Sequence, residues 1–195
     1  SVILSRLGVE NTALGFQAGF TGEKLEELLK ADGIKTDFIA LKNGMTRINV
    51  KIKAQTELDI NAVGPPIEED EVERLFEKIK AFQSGDVIVL AGSVPGTLPP
   101  DIYEKILSVT SKSGVESVVD ATGDLLLNVL KYHPFLIKPN HFELGDLFGV
   151  KIRDEAEIEK YAKQLQEKGA RNVLVSRGKE GATLITEHGG VHTIG

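Results

Sequence analysis

From residue 87 onward the chain alternates short apolar runs with segments of helical periodicity, and this alternation constrains the fold more than any other feature. The apolar runs are long enough for strands that are buried on both faces. They lie at residues 87–90, 118–119, 135–138 and 173–175. Apolar residues at helical spacing between them predict amphipathic helices. We therefore predict an α/β fold with a doubly wound, mostly parallel sheet and helices on both faces.

Residues 37–64 interrupt this alternation, because they predict three short strands with alternating polar residues. A β segment inserted in a βα chain usually packs over the main sheet as a lid, and lids commonly cover ligand sites. The sequence thus predicts an α/β core at 1–36 and 65–195 with a β lid at 37–64. Ahead of the lid, Thr21 is predicted to cap a helix.

Composition excludes several classes of protein. A chain of 195 residues at ordinary hydrophobicity builds one main domain. The formal net charge of -6 and the interspersed Lys and Arg residues argue against a nucleic-acid partner. The absence of cysteine excludes disulfides and thiolate metal sites. Since the apolar runs are only strand-sized, we expect no membrane span and a cytoplasmic location.

The segment around Pro139 predicts a strand that ends directly before a helix. Pro139 lacks a ladder donor and stops the strand, and Asn140 with Glu143 three residues later forms a variant of the capping box. Lys138, Asn140 and Glu143 should therefore cluster at the carboxyl end of a strand, where open α/β sheets bind ligands. The residues alone leave two interpretations open, helix capping and ligand binding.

Other strand ends also carry chemically capable residues. The small residues at 91–96 expose backbone amides and the Ser93 hydroxyl, which suits phosphate or hydroxyl binding but also an ordinary turn. Asp120 places a carboxylate after the next strand, either at a site or as a turn-fixing residue. The glycine-bearing loop at 176–181 is suited to approach a nucleotide. No Walker A, HExxH or dinucleotide fingerprint is present.

Arg47 stands out in the predicted lid. An arginine fork suits bidentate recognition of phosphate or carboxylate. The alternative is a cross-strand ion pair with an acidic neighbour such as Asp59.

Five motifs in this order together resemble the ribokinase-like sugar kinases, and more narrowly their phosphofructokinase B branch. They are Thr46-Arg47-Ile48-Asn49, Ala91-Gly92-Ser93-Val94-Pro95, Val119-Asp120-Ala121-Thr122-Gly123, Lys138-Pro139-Asn140-x-x-Glu143-Leu144 and Val175-Ser176-x-Gly178-x-x-Gly181-Ala182. The lid segments at 46–51 and 59–65 are most similar to bacterial enzymes that phosphorylate fructose 1-phosphate. The resemblance covers essentially the whole chain.

This resemblance implies ATP-dependent phosphorylation of fructose 1-phosphate to fructose 1,6-bisphosphate, with ATP and Mg²⁺ as cofactors. The alternatives are tagatose 6-phosphate or fructose 6-phosphate as the acceptor, or a noncatalytic module that binds a sugar phosphate. It also implies a homodimer formed through the lid.

The resemblance also implies roles for individual residues. Arg47, Asn49 and Ser93 would contact the phosphorylated sugar. Asn140, Glu143 and Asp120 would orient Mg²⁺ and its waters. The residues that would contact ATP are Lys138, Asn140, Ser176, Gly178, Lys179, Glu180 and Gly181.

Three features depart from the family pattern. The glycine-rich sugar-binding motif would lie before Ser1, and the Gly-x-Gly-Asp motif would lie beyond Gly195, so we expect an incomplete chain without the catalytic aspartate. Arg177 occupies a position where the family commonly has leucine.

Overall fold

The computed structural model describes residues 1–53, 57–92 and 94–195. The chain divides into two compact units, Ser1–Lys78 and Ile79–Gly195, which we call unit 1 and unit 2. Among the described residues, no helix is long and apolar enough to cross a membrane. The division into an α/β core and a lid at 37–64 stays a prediction.

Unit 1 is built from short strands and two main helices. Its strands form three separate pairs: β1 with β3 and β2 with β4 are parallel, and β5 with β6 is an antiparallel hairpin. Helix α3 continues two residues into unit 2. The elements are α1 (Val2–Arg6), β1 (Thr12–Ala13), β2 (Phe16–Gln17), α2 (Gly19–Ala31), β3 (Lys35–Thr36), β4 (Ile39–Ala40), β5 (Asn49–Lys53), β6 (Glu57–Asn61) and α3 (Glu69–Lys80).

The start of α2 differs from the prediction. The helix begins at Gly19 with Ala18 as its N-cap, so Thr21 lies inside the first turn. The prediction that Thr21 caps the helix is wrong, because its hydroxyl donates instead to the carbonyl oxygen of Thr46 at 2.8 Å.

The β5–β6 hairpin has one apolar and one polar face. Val50 lies opposite Ile60 and Ile52 lies opposite Leu58, and residues directly opposite each other share a face of the sheet. These four side chains, which we call the hairpin aliphatics, are between 44% and 54% exposed. On the other face, Lys51 pairs with Asp59 at 3.4 Å. Strands β5 and β6 lie within residues 37–64, where the sequence predicts three short strands.

Unit 2 contains a six-stranded sheet in the order β12-β11-β10-β9-β8-β7. Strands β7 to β10 are parallel, and β11 and β12 are antiparallel at one edge. The predicted α/β class and mostly parallel sheet are therefore confirmed. The elements are β7 (Val87–Ala91), α4 (Ile102–Thr110), β8 (Glu116–Asp120), α5 (Gly123–Val129), β9 (Leu136–Ile137), α6 (His141–Phe148), α7 (Glu155–Glu167), β10 (Asn172–Ser176), β11 (Ala182–Ile185) and β12 (Val191–Ile194).

The connecting helices of unit 2 share one face of this sheet. The chain moves one strand at a time in a single direction from β7 to β10, and right-handed crossovers then keep the helices on the same side. In agreement, α4 packs on α5, α5 on α6 and α6 on α7. In β7 only alternate residues, Ile88 and Leu90, are buried. All four parallel strands consequently end at one edge, which we call the carboxyl edge.

Candidate functional site

The carboxyl edge brings three of the predicted ligand-binding segments together. Asp120 ends β8, Lys138 follows β9, and Ser176 ends β10, and these three strands are neighbours in the sheet. Backbone pairing continues past the short strand β9, because the amide of Lys138 donates to the Val119 carbonyl at 3.0 Å and that of Ser176 to the Pro139 carbonyl at 3.1 Å. The sheet itself therefore fixes the backbone positions of these residues.

Both halves of the predicted capping box are present at the start of α6. Oδ1 of Asn140 accepts hydrogen bonds from the amides of Phe142 and Glu143, each at 2.9 Å. Oε2 of Glu143 accepts from the amide of Asn140 at 2.7 Å. Among the described residues, neither the Asn140 side-chain amide nor Oε1 of Glu143 has a hydrogen bond. The capping interpretation is thus realised, and each side chain keeps one polar atom for a ligand.

Lys138 and Asp120 form an ion pair at this edge. Nζ of Lys138 lies 3.1 Å from Oδ2 of Asp120, and each side chain is 39% exposed. At this exposure the pair is screened by solvent and contributes little to stability. It does hold one cation and one carboxylate side by side at the ends of β8 and β9.

Tyr103 is a buried residue of this edge that was not among the predicted site residues. Its hydroxyl donates to the carbonyl oxygen of Gly92 at 3.2 Å, at the end of β7. Burial raises the pKa of Tyr103, and the negative charge of Asp120 raises the pKa further. In the sequence Tyr103 is one of several apolar residues of α4, so its spacing gave no indication of a polar contact.

The loop after β10 is a tight turn with two constrained glycines. Residues Gly178–Glu180 form a single 3₁₀ turn, closed by a hydrogen bond from the Arg177 amide to the Gly181 carbonyl at 2.8 Å. Gly178 has a φ of +59°. At Gly181 a Cβ atom would lie 1.8 Å from the Ile194 carbonyl oxygen, so no other residue fits. Gly178, Lys179 and Glu180 are exposed at the tip.

Three predicted site residues, Arg47, Asn49 and Ser93, are not among those found at the carboxyl edge. Arg47 and Asn49 lie in unit 1, and both are exposed. Arg47 lies two residues before Asn49, the first residue of β5. Asp59, the residue considered as an ion-pair partner for Arg47, lies opposite Lys51. Ser93 lies outside the described residues.

Thr46 anchors the segment that carries Arg47. Its amide donates to the Ala18 carbonyl at 2.8 Å, its hydroxyl accepts from the Ala18 amide at 2.9 Å, and its carbonyl accepts from Thr21. These bonds tie the residue before Arg47 to the start of α2. Thr46 belongs to the motif Thr46-Arg47-Ile48-Asn49, but nothing in the sequence pattern indicates these contacts.

The described residues contain no group of three or more His, Asp or Glu side chains arranged to hold a metal ion. Asp120 and Glu143 instead each offer a carboxylate oxygen near one edge, whereas Oδ1 of Asn140 already accepts both capping hydrogen bonds. Such a donor set suits Mg²⁺, which prefers oxygen ligands and keeps several of its waters.

Comparison with known proteins places the chain in a family of carbohydrate kinases. A family model described as pfkB family carbohydrate kinase matches residues 1–195. A 1-phosphofructokinase of Bacillus subtilis is 43% identical over 95% of this chain and 61% of that protein. A D-tagatose-1-phosphate kinase of Bacillus licheniformis is 40% identical over 95% of this chain and 61% of that protein.

Solved structures agree with this placement. The crystal structure of phosphofructokinase-2 from Escherichia coli in complex with fructose-6-phosphate matches with a TM-score of 0.90 at 26% identity, over 99% of this chain and 65% of that chain. The chain spans about three fifths of the length of the curated relatives it matches.

Proposed function

Because the chain belongs to the pfkB family of carbohydrate kinases, we propose that the whole protein transfers the γ-phosphoryl group of ATP to fructose 1-phosphate. A bond forms between the γ-phosphorus and the sugar's 6-oxygen, the bond to the β-phosphate oxygen breaks, and the hydroxyl proton passes to a base. The products are fructose 1,6-bisphosphate and ADP. The observation that carries this proposal is the 43% identity to a protein named 1-phosphofructokinase.

The carboxyl edge of unit 2 would bind the nucleotide. Lys138 and the side-chain amide of Asn140 are donors suited to phosphate oxygens. The turn formed by Ser176, Gly178, Lys179, Glu180 and Gly181 would lie along the nucleotide. Phosphoryl transfer depends mainly on positioning and charge stabilisation, which a rigid backbone and a fixed cation supply.

Asp120 and Glu143 would hold Mg²⁺, in part through its waters, whereas Asn140, whose Oδ1 accepts both capping hydrogen bonds, would act on phosphate through its side-chain amide. When bound, the ion would neutralise charge on the phosphates. Lys138 and Asp120 lie side by side, 3.1 Å apart. When MgATP binds, the lysine would therefore contact a phosphate oxygen and the aspartate would contact the metal or its waters. The capping bonds of Asn140 and Glu143 would fix the orientation of both side chains throughout.

Unit 1 would supply the sugar contacts. Arg47 would bind the phosphate group of the acceptor, supported by the anchoring of Thr46, and Asn49 would bind nearby. Ser93, which lies outside the described residues, would contribute as well. The exposed hairpin aliphatics would pack against those of a second copy, which supports a homodimer through β5 and β6.

The test is an acceptor comparison with the whole protein and MgATP. We expect the highest kcat/KM with fructose 1-phosphate. Tagatose 1-phosphate is the second candidate, because a relative of 40% identity is named for it and the two sugars differ only at one carbon. A higher kcat/KM for tagatose 1-phosphate, tagatose 6-phosphate or fructose 6-phosphate would replace the proposed acceptor. Binding without turnover for all four would indicate a noncatalytic module.

A further inference from the structure

Arg177 is an unusually buried cation for a residue that begins a surface turn. Its side chain is 14% exposed, and its only ion pair among the described residues joins Nη1 to Oε1 of Glu155 at 3.0 Å. Its Nε is buried and has no hydrogen-bond partner there. Burying a guanidinium with one carboxylate partner costs free energy that an aliphatic side chain of similar size would avoid. Packing alone therefore does not explain a charge at this position.

The contacts of Arg177 connect the turn after β10 to the first residue of α7. At the turn, the Arg177 amide donates to Gly181 and its carbonyl accepts from Glu180 at 3.2 Å. At the helix, Glu155 is held in place because α7 is capped by Asp154, whose Oδ1 accepts from the Glu157 amide at 2.8 Å. The backbone of Arg177 thus closes the turn, and its guanidinium links this turn to the capped start of α7.

We propose that Arg177 is a positioning residue for nucleotide binding, which acts by clamping the Gly178–Glu180 turn to Glu155. This inference rests on the proposed function, in which that turn lies along the nucleotide. The clamp holds the turn in its binding conformation before the nucleotide arrives, so that less conformational entropy is lost on binding. Arg177 does not touch the reacting atoms in this arrangement.

The experiment uses the whole protein and four variants. Arg177→Met removes the charge at similar length, Arg177→Lys keeps a cation that can reach Glu155, and Glu155→Gln removes the partner charge. Glu159→Gln is the matched control, because Glu159 lies on the same helix and pairs with Lys163 at 2.5 Å, away from the turn. The measurements are the Kd of MgADP by titration, the KM values of MgATP and fructose 1-phosphate, and kcat.

We expect Arg177→Met to raise the MgADP Kd and the MgATP KM about tenfold and Glu155→Gln to raise them about threefold. Arg177→Lys should restore most of the loss, and the double variant Arg177→Met/Glu155→Gln should bind no more weakly than Arg177→Met. The KM of fructose 1-phosphate, kcat and every value for Glu159→Gln should stay within about twofold of the starting protein.

Unchanged nucleotide affinity in Arg177→Met would overturn the inference, and so would weakened affinity in Arg177→Met with none in Glu155→Gln. If Arg177→Met does not fold, the nucleotide affinities of Glu155→Gln, a substitution at an exposed side chain, and of Arg177→Lys test the inference instead. A wrong choice of acceptor sugar would not affect this test, because the MgADP titration needs no phosphosugar. A starting protein that binds no MgADP would overturn both the inference and the nucleotide site.

Discussion

The carboxyl edge of unit 2 and the β5–β6 hairpin of unit 1 both include predicted site residues, but the two regions are stabilised differently. At the carboxyl edge, backbone hydrogen bonds extend past β9 to Lys138 and Ser176. Among the described residues, the β5–β6 pair has no third strand beside it, and its aliphatic face is about half exposed. The strands at the carboxyl edge are therefore fixed by neighbouring strands of the same unit, whereas the hairpin leaves an apolar face that another surface can cover.

This contrast predicts that single substitutions at the edge affect chemistry and leave the fold intact, whereas substitutions on the hairpin affect association. A buried interface tolerates an unpaired charge poorly, and a symmetric dimer contains each substitution twice.

The largest effect is expected for Ile60→Asp. The variant places an unpaired carboxylate on the aliphatic face of each hairpin, so the dissociation constant of the proposed homodimer should rise by about 10³-fold or more. Sedimentation equilibrium across a concentration series measures this constant. Asn61→Asp is the control, since Asn61 lies on the opposite face of the same strand. An Ile60→Asp variant that dimerises as tightly as the starting protein would remove the hairpin aliphatics from the interface.

The next effect concerns Glu143. A glutamine there can still accept the hydrogen bond from the Asn140 amide, so Glu143→Gln should fold normally. The loss of its charge should lower kcat about 100-fold and raise the Mg²⁺ concentration needed for half-maximal rate, since a contributor to transition-state stabilisation is lost.

Glu157→Gln provides the matched comparison for this prediction. Glu157 makes the same kind of capping contact in α7, where its Oε2 accepts from the Arg153 amide at 2.7 Å. If both variants show the same kcat and Mg²⁺ dependence as the starting protein, Glu143 serves only as a cap.

A smaller effect is expected for Arg47→Ala. Loss of a charge-assisted contact should raise the KM of fructose 1-phosphate about 10- to 30-fold and leave the KM of MgATP nearly unchanged. Lys51→Ala removes a cation from the same hairpin and is the control, because Lys51 already pairs with Asp59. Equal shifts in both KM values, or none, would contradict the assignment of Arg47 to the sugar phosphate.

Local signals account for the parts of the fold and site that the sequence predicted correctly. The capping box of Asn140 and Glu143 depends on residues three apart, so its pattern is visible in the chain and its bonds form as expected. The pairing of β11 with β12 is equally local, because Gly189 and Gly190 lie in the short turn between the two strands. Parallel strands separated by helices then bring Asp120, Lys138 and Ser176 to one edge for topological reasons.

Contacts that depend on distant residues could not be predicted. The side chain of Thr21 is a good helix cap in the sequence, but in the fold Thr46 lies nearby and takes its hydrogen bond. The hydroxyl of Tyr103 finds its acceptor at Gly92 only after α4 packs on the sheet. The burial of Arg177 and its pair with Glu155 also require the register of α7 against the turn.

The smallest effect is expected at the opposite edge of the unit 2 sheet, where Arg171 joins two carboxylates. Its Nε and Nη2 donate to Glu187 at 2.7 and 3.0 Å, and Nη1 donates to Glu116 at 2.8 Å. The hydrogen bonds from Arg171 lower the pKa of Glu187 below its ordinary value of 4.5 in the folded protein. A lowered folded pKa stabilises the protein above the unfolded value, and this contribution is lost as pH falls through the folded pKa.

The starting protein loses the stabilisation from ionised Glu187 as the pH falls from 6 to 3, whereas Glu187→Gln lacks it at both pH values. The urea midpoint should therefore change less between pH 6 and pH 3 in Glu187→Gln than in the starting protein. Glu10→Gln in unit 1 is the comparison, because Lys35 lowers the pKa of Glu10 in a similar way at a more exposed site, where the Glu10 side chain is 80% exposed against 29% for Glu187. Solvent and salt screen that pair more strongly, so its variant should follow the starting protein more closely. A Glu187→Gln variant with the same pH dependence as the starting protein would show that Arg171 stabilises this edge through Glu116 and packing against Phe135, and not through Glu187.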